Sequence, residues 1–140
     1  MKIEVRRLND KYKLEAKNDL GKTIIIDNSK ESGGDADGFR PMQTLLAALG
    51  GCSSIDILSI LKKQRLEPFD LKVEIEGERE TGKEVNLWKT IHAHYIFKGN
   101  VPKEKAERAV ELSVTKYCSV SKTLEAAGAT ITYSVEVNHQ

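Results

Sequence analysis

The chain has 140 residues, 39% of them hydrophobic and 31% charged, which suits one packed domain and excludes the composition of a disordered chain. Its 22 Lys and Arg against 21 Asp and Glu leave a net charge of +1. These charges are interspersed rather than clustered, so neither nucleic acid nor an acidic membrane is expected as a partner. A domain of this length buries roughly two-thirds of its extended-chain surface and needs no disulfide or metal staple to fold.

The first residues, Met1-Lys2-Ile3-Glu4-Val5-Arg6-Arg7, alternate charged and apolar side chains and lack the continuous apolar stretch of a secretory signal, so a cytoplasmic location is expected. Ile3 and Val5, then Tyr12, Leu14 and Ala16, are spaced by two around Leu8-Asn9-Asp10-Lys11 and predict a hairpin with one face on the core. The next strand, Lys22 to Asn28, carries the continuous β-branched run Ile24-Ile25-Ile26 and is expected to be covered on both faces. Ser29 to Gly38, rich in Gly, Ser and Asp, reads as a mobile loop.

Pro41 suits the first turn of a helix, and apolar residues occupy nearly every face from Met42 to about Gln64. The apolar stretch Leu45 to Leu61 contains Asp56 and three serines and is shorter than the roughly 20 apolar residues of a membrane span, so a core helix buried all round is expected. Beyond Pro68, Phe69, Leu71, Val73 and Ile75 alternate with charged residues, and Ile91, Ala93, Tyr95 and Phe97 repeat the pattern. The two runs predict a long, one-sided antiparallel hairpin. Pro102 opens a second helix with Ala106, Ala109, Val110, Ser113, Val114 and Tyr117 on one face, and Glu104 four residues before Arg108 on the exposed side. After a short piece, Ser121 to Ala127, a last strand alternates Ile131, Tyr133, Val135 and Val137. The fold class is α+β, as a single unit over residues 1–140.

Chemistry centres on Gly50-Gly51-Cys52, in the middle of the long helix. Each glycine costs a helix interior roughly 1 kcal/mol relative to alanine, so the pair is best explained by another backbone crossing close by, against which Cys52 would pack. Cys118 ends the second helix, and both cysteines belong to helices expected to pack on the sheet. They are the only two in the chain and lie 66 positions apart, so they form neither a Cys-x-x-Cys motif nor half of a zinc knuckle. No metal and no cofactor is expected, and thiol redox chemistry remains. A thiolate at Cys52 needs a cation, since Asp56, one turn later, opposes ionisation if charged and close. Arg40 lies about 18 Å away along a straight helix, a poor reach within one chain. Arg40 of the partner subunit, or Arg6 or Arg7 of the first hairpin, would reach better. His92 and His94 share one strand face without an evident third metal ligand, because His139 sits at a frayed tail. Gly33, Gly34 and Gly38 lack the spacing of a phosphate loop.

The run Gly38-Phe39-Arg40-Pro41-Met42-Gln43-Thr44-Leu45-Leu46-Ala47-Ala48-Leu49-Gly50-Gly51-Cys52, followed by Tyr117-Cys118-Ser119-Val120, resembles the OsmC/Ohr family of thiol-dependent peroxidases. The resemblance extends over nearly the whole chain and is nearest to a less characterised OsmC-like branch. It implies antiparallel sheets wrapped around long buried central helices, in an intertwined homodimer with its active sites at the subunit interface. It implies that Cys52 attacks an organic hydroperoxide and becomes a sulfenic acid, that Cys118 condenses with it to a disulfide, and that an external dithiol restores both. Peroxidatic members carry a glutamate just after the helix-opening proline, where this chain has Met42 and Gln43. Arg40 and Gln43 are carried over as further site candidates. The changed position motivates the alternative, a non-catalytic binding or redox-sensing dimer with a degenerate active site.

Overall fold

The computed structural model describes residues 1–66 and 70–139 and divides the chain into two compact units, Met1–Leu45 and Leu46–Gln140. In the first unit, strands β1 (Glu4–Arg7), β2 (Leu14–Lys17) and β3 (Thr23–Ile26) form an antiparallel sheet in that order. The expected hairpin is present, and its turn is held by Arg7, whose guanidinium donates to the carbonyls of Asp10 and Lys11. The expected cover is not. Val5 and Ile24 are more than half exposed, because a three-stranded sheet with no helix packed across it within this unit has nothing to bury either face.

The stretch that composition marked as a mobile loop is organised around a carboxylate. Asp27 is buried and accepts hydrogen bonds from the backbone N–H of Asn28 (2.7 Å) and Asp37 (3.1 Å). Burial alone would raise its pKa. The N–H donors of Asp37, Asn28 and Asp35 outweigh that cost and hold it below the usual aspartate value. A single 3₁₀ turn, Lys30–Ser32, closes within this loop.

Helix α1 (Pro41–Lys63) begins in the first unit with a reciprocal cap: the Gln43 side-chain oxygen accepts from the Arg40 N–H at 3.0 Å. At 23 residues, with a mean hydropathy of 1.7 over its most apolar window, α1 meets the length and composition of a bilayer-crossing helix, contrary to the estimate from Leu45 to Leu61 alone. It is not buried all round. Leu49, Ser53, Ile57 and Leu61, four residues apart, form one buried stripe, while Leu45, Ile55 and Leu58 are exposed in the single chain.

The second unit is built on β4 (Asp70–Arg79) and β5 (Trp88–Lys98), the predicted antiparallel hairpin; Phe69, expected at its start, lies outside the described residues. Ile91, Ala93, Tyr95 and Phe97 are buried, with His92 and His94 on the opposite face. Strand β6 (Thr130–Asn138) then pairs with β5 in parallel, so this sheet is mixed rather than antiparallel throughout. Parallel pairing needs a crossover, and the intervening helices α2 (Lys103–Leu112) and α3 (Ser119–Ala126) supply it. Ala106, Ala109, Val110 and Val114 pack with Ile57, Leu61, Tyr95 and Phe97 in one core cluster. On the outer face of α2, Arg108 pairs forward with Glu111 at 2.9 Å rather than back to Glu104.

Between α2 and α3 the backbone widens into a π-helical turn, Ser113–Tyr117, closed by the Cys118 N–H donating to the Ser113 carbonyl at 2.8 Å. The extra residue breaks the helical phase. Tyr117, expected on the buried face, is turned outward, and Cys118 is turned fully inward.

Among the described residues of the single chain, no backbone crosses the glycine pair in α1. A Cβ at Gly50 would meet the Ile75 Cδ1 methyl at 3.0 Å, and one at Gly51 would meet nothing within 4 Å. Gly77 is the glycine that the second unit requires, since a Cβ there would stand 2.7 Å from Cζ3 of Trp88. Gly77→Ala is therefore expected to lower stability by about 1–3 kcal/mol, as overpacking does. Urea unfolding followed by the fluorescence of Trp88, the only tryptophan, measures this directly.

Candidate functional site

The π turn and the buried stripe of α1 meet at a polar seam inside an otherwise apolar core. Ser53 Oγ donates to the Leu49 carbonyl (2.8 Å) and accepts from the Tyr95 hydroxyl (2.7 Å). Ser113 Oγ donates to the Ser53 carbonyl (3.0 Å) and lies 3.3 Å from Asp56 Oδ2. The buried side-chain polar atoms of the described residues all have partners. Burial raises the Tyr95 hydroxyl to a pKa of about 12 despite its bond to Ser53, so it acts as a fixed donor.

This seam sets Cys52 and Cys118 together. Both sulfurs and a carboxylate oxygen of Asp56 lie within 4.8 Å of one another. Both cysteines are reduced; Cys118 is fully buried and Cys52 only partly so. The two share an apolar cluster with Leu49, Ile91, Leu124 and Ala129. Cys118 is also the N-cap of α3, its sulfur accepting from the Ser121 N–H at 3.4 Å.

Burial raises the Cys118 thiol to a pKa of about 11, the Ser121 N–H pulls it back, and the hydrogen bond and charge of Cys52 raise it further. Cys118 is thus held as a neutral thiol at the inner end of the pair. Cys52 is the more exposed residue of the pair.

The meeting of the cysteines follows the expectation from the sequence. Asp56 was read there only as a charge opposing ionisation; its i+4 spacing from Cys52 was the available signal that it shares the site. Arg40 and Gln43 belong to the first unit, where Gln43 is engaged as the helix cap. Of the other two proposed cations, Arg7 is engaged at the hairpin turn and Arg6 is exposed on β1. His92 forms hydrogen bonds with Thr132 and Ser134, and His94 with Ser134, a polar ladder on the outer sheet face. His139, expected in a frayed tail, is tied to the Val101 carbonyl at 3.1 Å.

The OsmC-like protein family model matches residues 34–134, a stretch containing both cysteines and Asp56. Protein YhfA of Escherichia coli is 42% identical over 118 residues, 84% of each chain. The chain belongs to the OsmC/Ohr family. Family structures share its fold. A hypothetical protein from Aquifex aeolicus is 30% identical, with a TM-score of 0.83 over 99% of this chain and 96% of that one. An organic hydroperoxide resistance protein OsmC from Legionella pneumophila has a TM-score of 0.72 over 97% of each chain, and at 15% identity the likeness is one of fold. The OsmC/Ohr family includes organic hydroperoxide resistance proteins, and this member carries two neighbouring cysteines.

The raised Cys118 pKa has a consequence for stability. Between the ordinary thiol value and about 11 the folded chain holds a proton that the unfolded chain has released. Stability therefore falls as pH rises through this window. Cys118→Ser, which does not titrate there, is expected to flatten the decline between pH 9 and 11 in urea unfolding.

Proposed function

We propose that this chain is a thiol-dependent peroxidase for organic hydroperoxides, in which Cys52 attacks and Cys118 resolves. The observation that carries the reading is the pair of free cysteines with sulfurs within 4.8 Å of each other, Cys118 buried and Cys52 partly exposed. The Cys52 thiolate attacks the nearer peroxide oxygen, the O–O bond breaks, and the alkoxide leaves and takes up a proton. Cys52 becomes a sulfenic acid; the Cys118 thiol gives up its proton as its sulfur attacks the Cys52 sulfur, the S–O bond breaks, the hydroxide leaves with that proton as water, and the disulfide forms. Two of the influences that raise the Cys118 pKa come from Cys52 itself, so oxidation of Cys52 removes them and eases this second step. An external dithiol closes the cycle by two thiol–disulfide exchanges. No cofactor takes part.

We further propose that the working form is a cytoplasmic homodimer. Leu45, Ile55 and Leu58 of α1 and Val5 and Ile24 of the first sheet leave large apolar side chains exposed on the single chain, and a second copy gives them cover. Sedimentation of the reduced chain is expected to give twice the monomer mass.

The second reading, a redox-sensing or binding dimer without turnover, is favoured by Asp56, a carboxylate beside both sulfurs. Consumption of a bulky organic hydroperoxide in the presence of a dithiol separates the two. Under the peroxidase reading, turnover falls to background in Cys52→Ser. Cys118→Ser accumulates a Cys52 sulfenic or over-oxidised acid detectable by mass spectrometry. Wild-type turnover at background, with a Cys52–Cys118 disulfide still formed by peroxide, would establish the sensing role instead.

A further inference from the structure

From the donor set Cys52, Asp56 and Cys118 we infer a binding site for a thiophilic divalent cation, Zn²⁺ in the first instance, on the reduced chain. This inference stands whether or not the pair turns over peroxide. The three donor atoms lie within 4.8 Å of one another. Two sulfurs bound to one tetrahedral zinc stand about 3.8 Å apart, so closing the pair onto an ion takes a movement of at most about 1 Å.

The donors come from two rigid places. Cys52 and Asp56 are one turn apart on α1, and Cys118 is fixed between the π turn and α3. Two thiolates and a carboxylate favour zinc over hard cations such as magnesium or calcium. An outer shell is in place as well: Ser113 Oγ lies 3.3 Å from Asp56 Oδ2, and the Ser121 N–H donates to the Cys118 sulfur at 3.4 Å. Groups of this kind orient ligands around a metal.

Asp56 makes no ion pair among the described residues, so its carboxylate stands beside two sulfurs with no side-chain cation paired to it there. A bound cation would supply that charge. Asp56 also lines a surface groove of about 610 Å³ with Ser59, Ile60, Lys63, Leu112 and Tyr117, which gives an ion in water a route to the carboxylate. Three protein donors leave a fourth position for solvent, as in open zinc sites. With both sulfurs engaged by the metal, neither is free to attack.

The test is a titration of the reduced full-length chain with Zn²⁺ alone, in competition with a chromophoric chelator, together with Co²⁺ substitution read by thiolate-to-metal charge-transfer absorption. One ion per chain is expected, with tetrahedral cobalt spectra. Cys52→Ser and Cys118→Ser should each abolish the charge-transfer band or halve its intensity. Asp56→Asn should keep the stoichiometry but weaken zinc binding about 10–100-fold, a range set by changes around known metal sites. The double variant His92→Gln/His94→Gln should bind like wild type. Circular dichroism confirms that each variant is folded. The inference is overturned if the wild-type chain takes up no stoichiometric zinc, if Asp56→Asn binds as tightly as wild type, or if the histidine variant loses the ion. None of these readings uses peroxide, so failure here leaves the peroxidase reading to its own test.

Discussion

Ser53 is the residue on which the geometry of the second unit turns. Through its hydroxyl it joins Tyr95 of β5 to the Leu49 carbonyl of α1, and through its own carbonyl it receives Ser113 from the π turn. A hydrogen bond in so apolar a setting is costly to leave unmade, so the three elements are locked in register rather than merely pressed together. Cys52 precedes Ser53 on the same helix, and Cys118 follows Ser113 by one wide helical turn. The sulfurs meet because the serines do.

The two cysteines differ in surroundings more than in chemistry. Cys118 is sealed in, caps α3 and stays protonated; Cys52 keeps partial access to solvent. That asymmetry assigns the order of attack and resolution under the proposed cycle. Asp56 complicates it, since a carboxylate beside two sulfurs completes a donor set that suits a cation.

What the sequence made legible follows from which surfaces are buried on one side only. Strands β4, β5 and β6 alternate over much of their length because one face meets the core, and period two reads directly as strand. Helix α1 misled because an apolar side chain needs cover without specifying whose; Leu45, Ile55 and Leu58 look like core residues but are exposed within their own chain. The parallel pairing of β6 was hidden because alternation carries no direction. The π turn has no compositional mark, so Tyr117 was placed one helical phase too far inward. At the site, the meeting of the cysteines was foreseeable from their helices and the family motif. The place of Asp56 beside both sulfurs was marked in the sequence only by its i+4 spacing from Cys52.

The parallel β5–β6 pairing places Cys118 inside the crossover connection that β6 completes. Closing that connection costs loop entropy, repaid only when β6 docks. On a growing polypeptide, Cys52 therefore emerges from the ribosome long before its sulfur partner can be held beside it. The first thiol passes through synthesis unaccompanied, and assembly of the pair waits on the docking of β6.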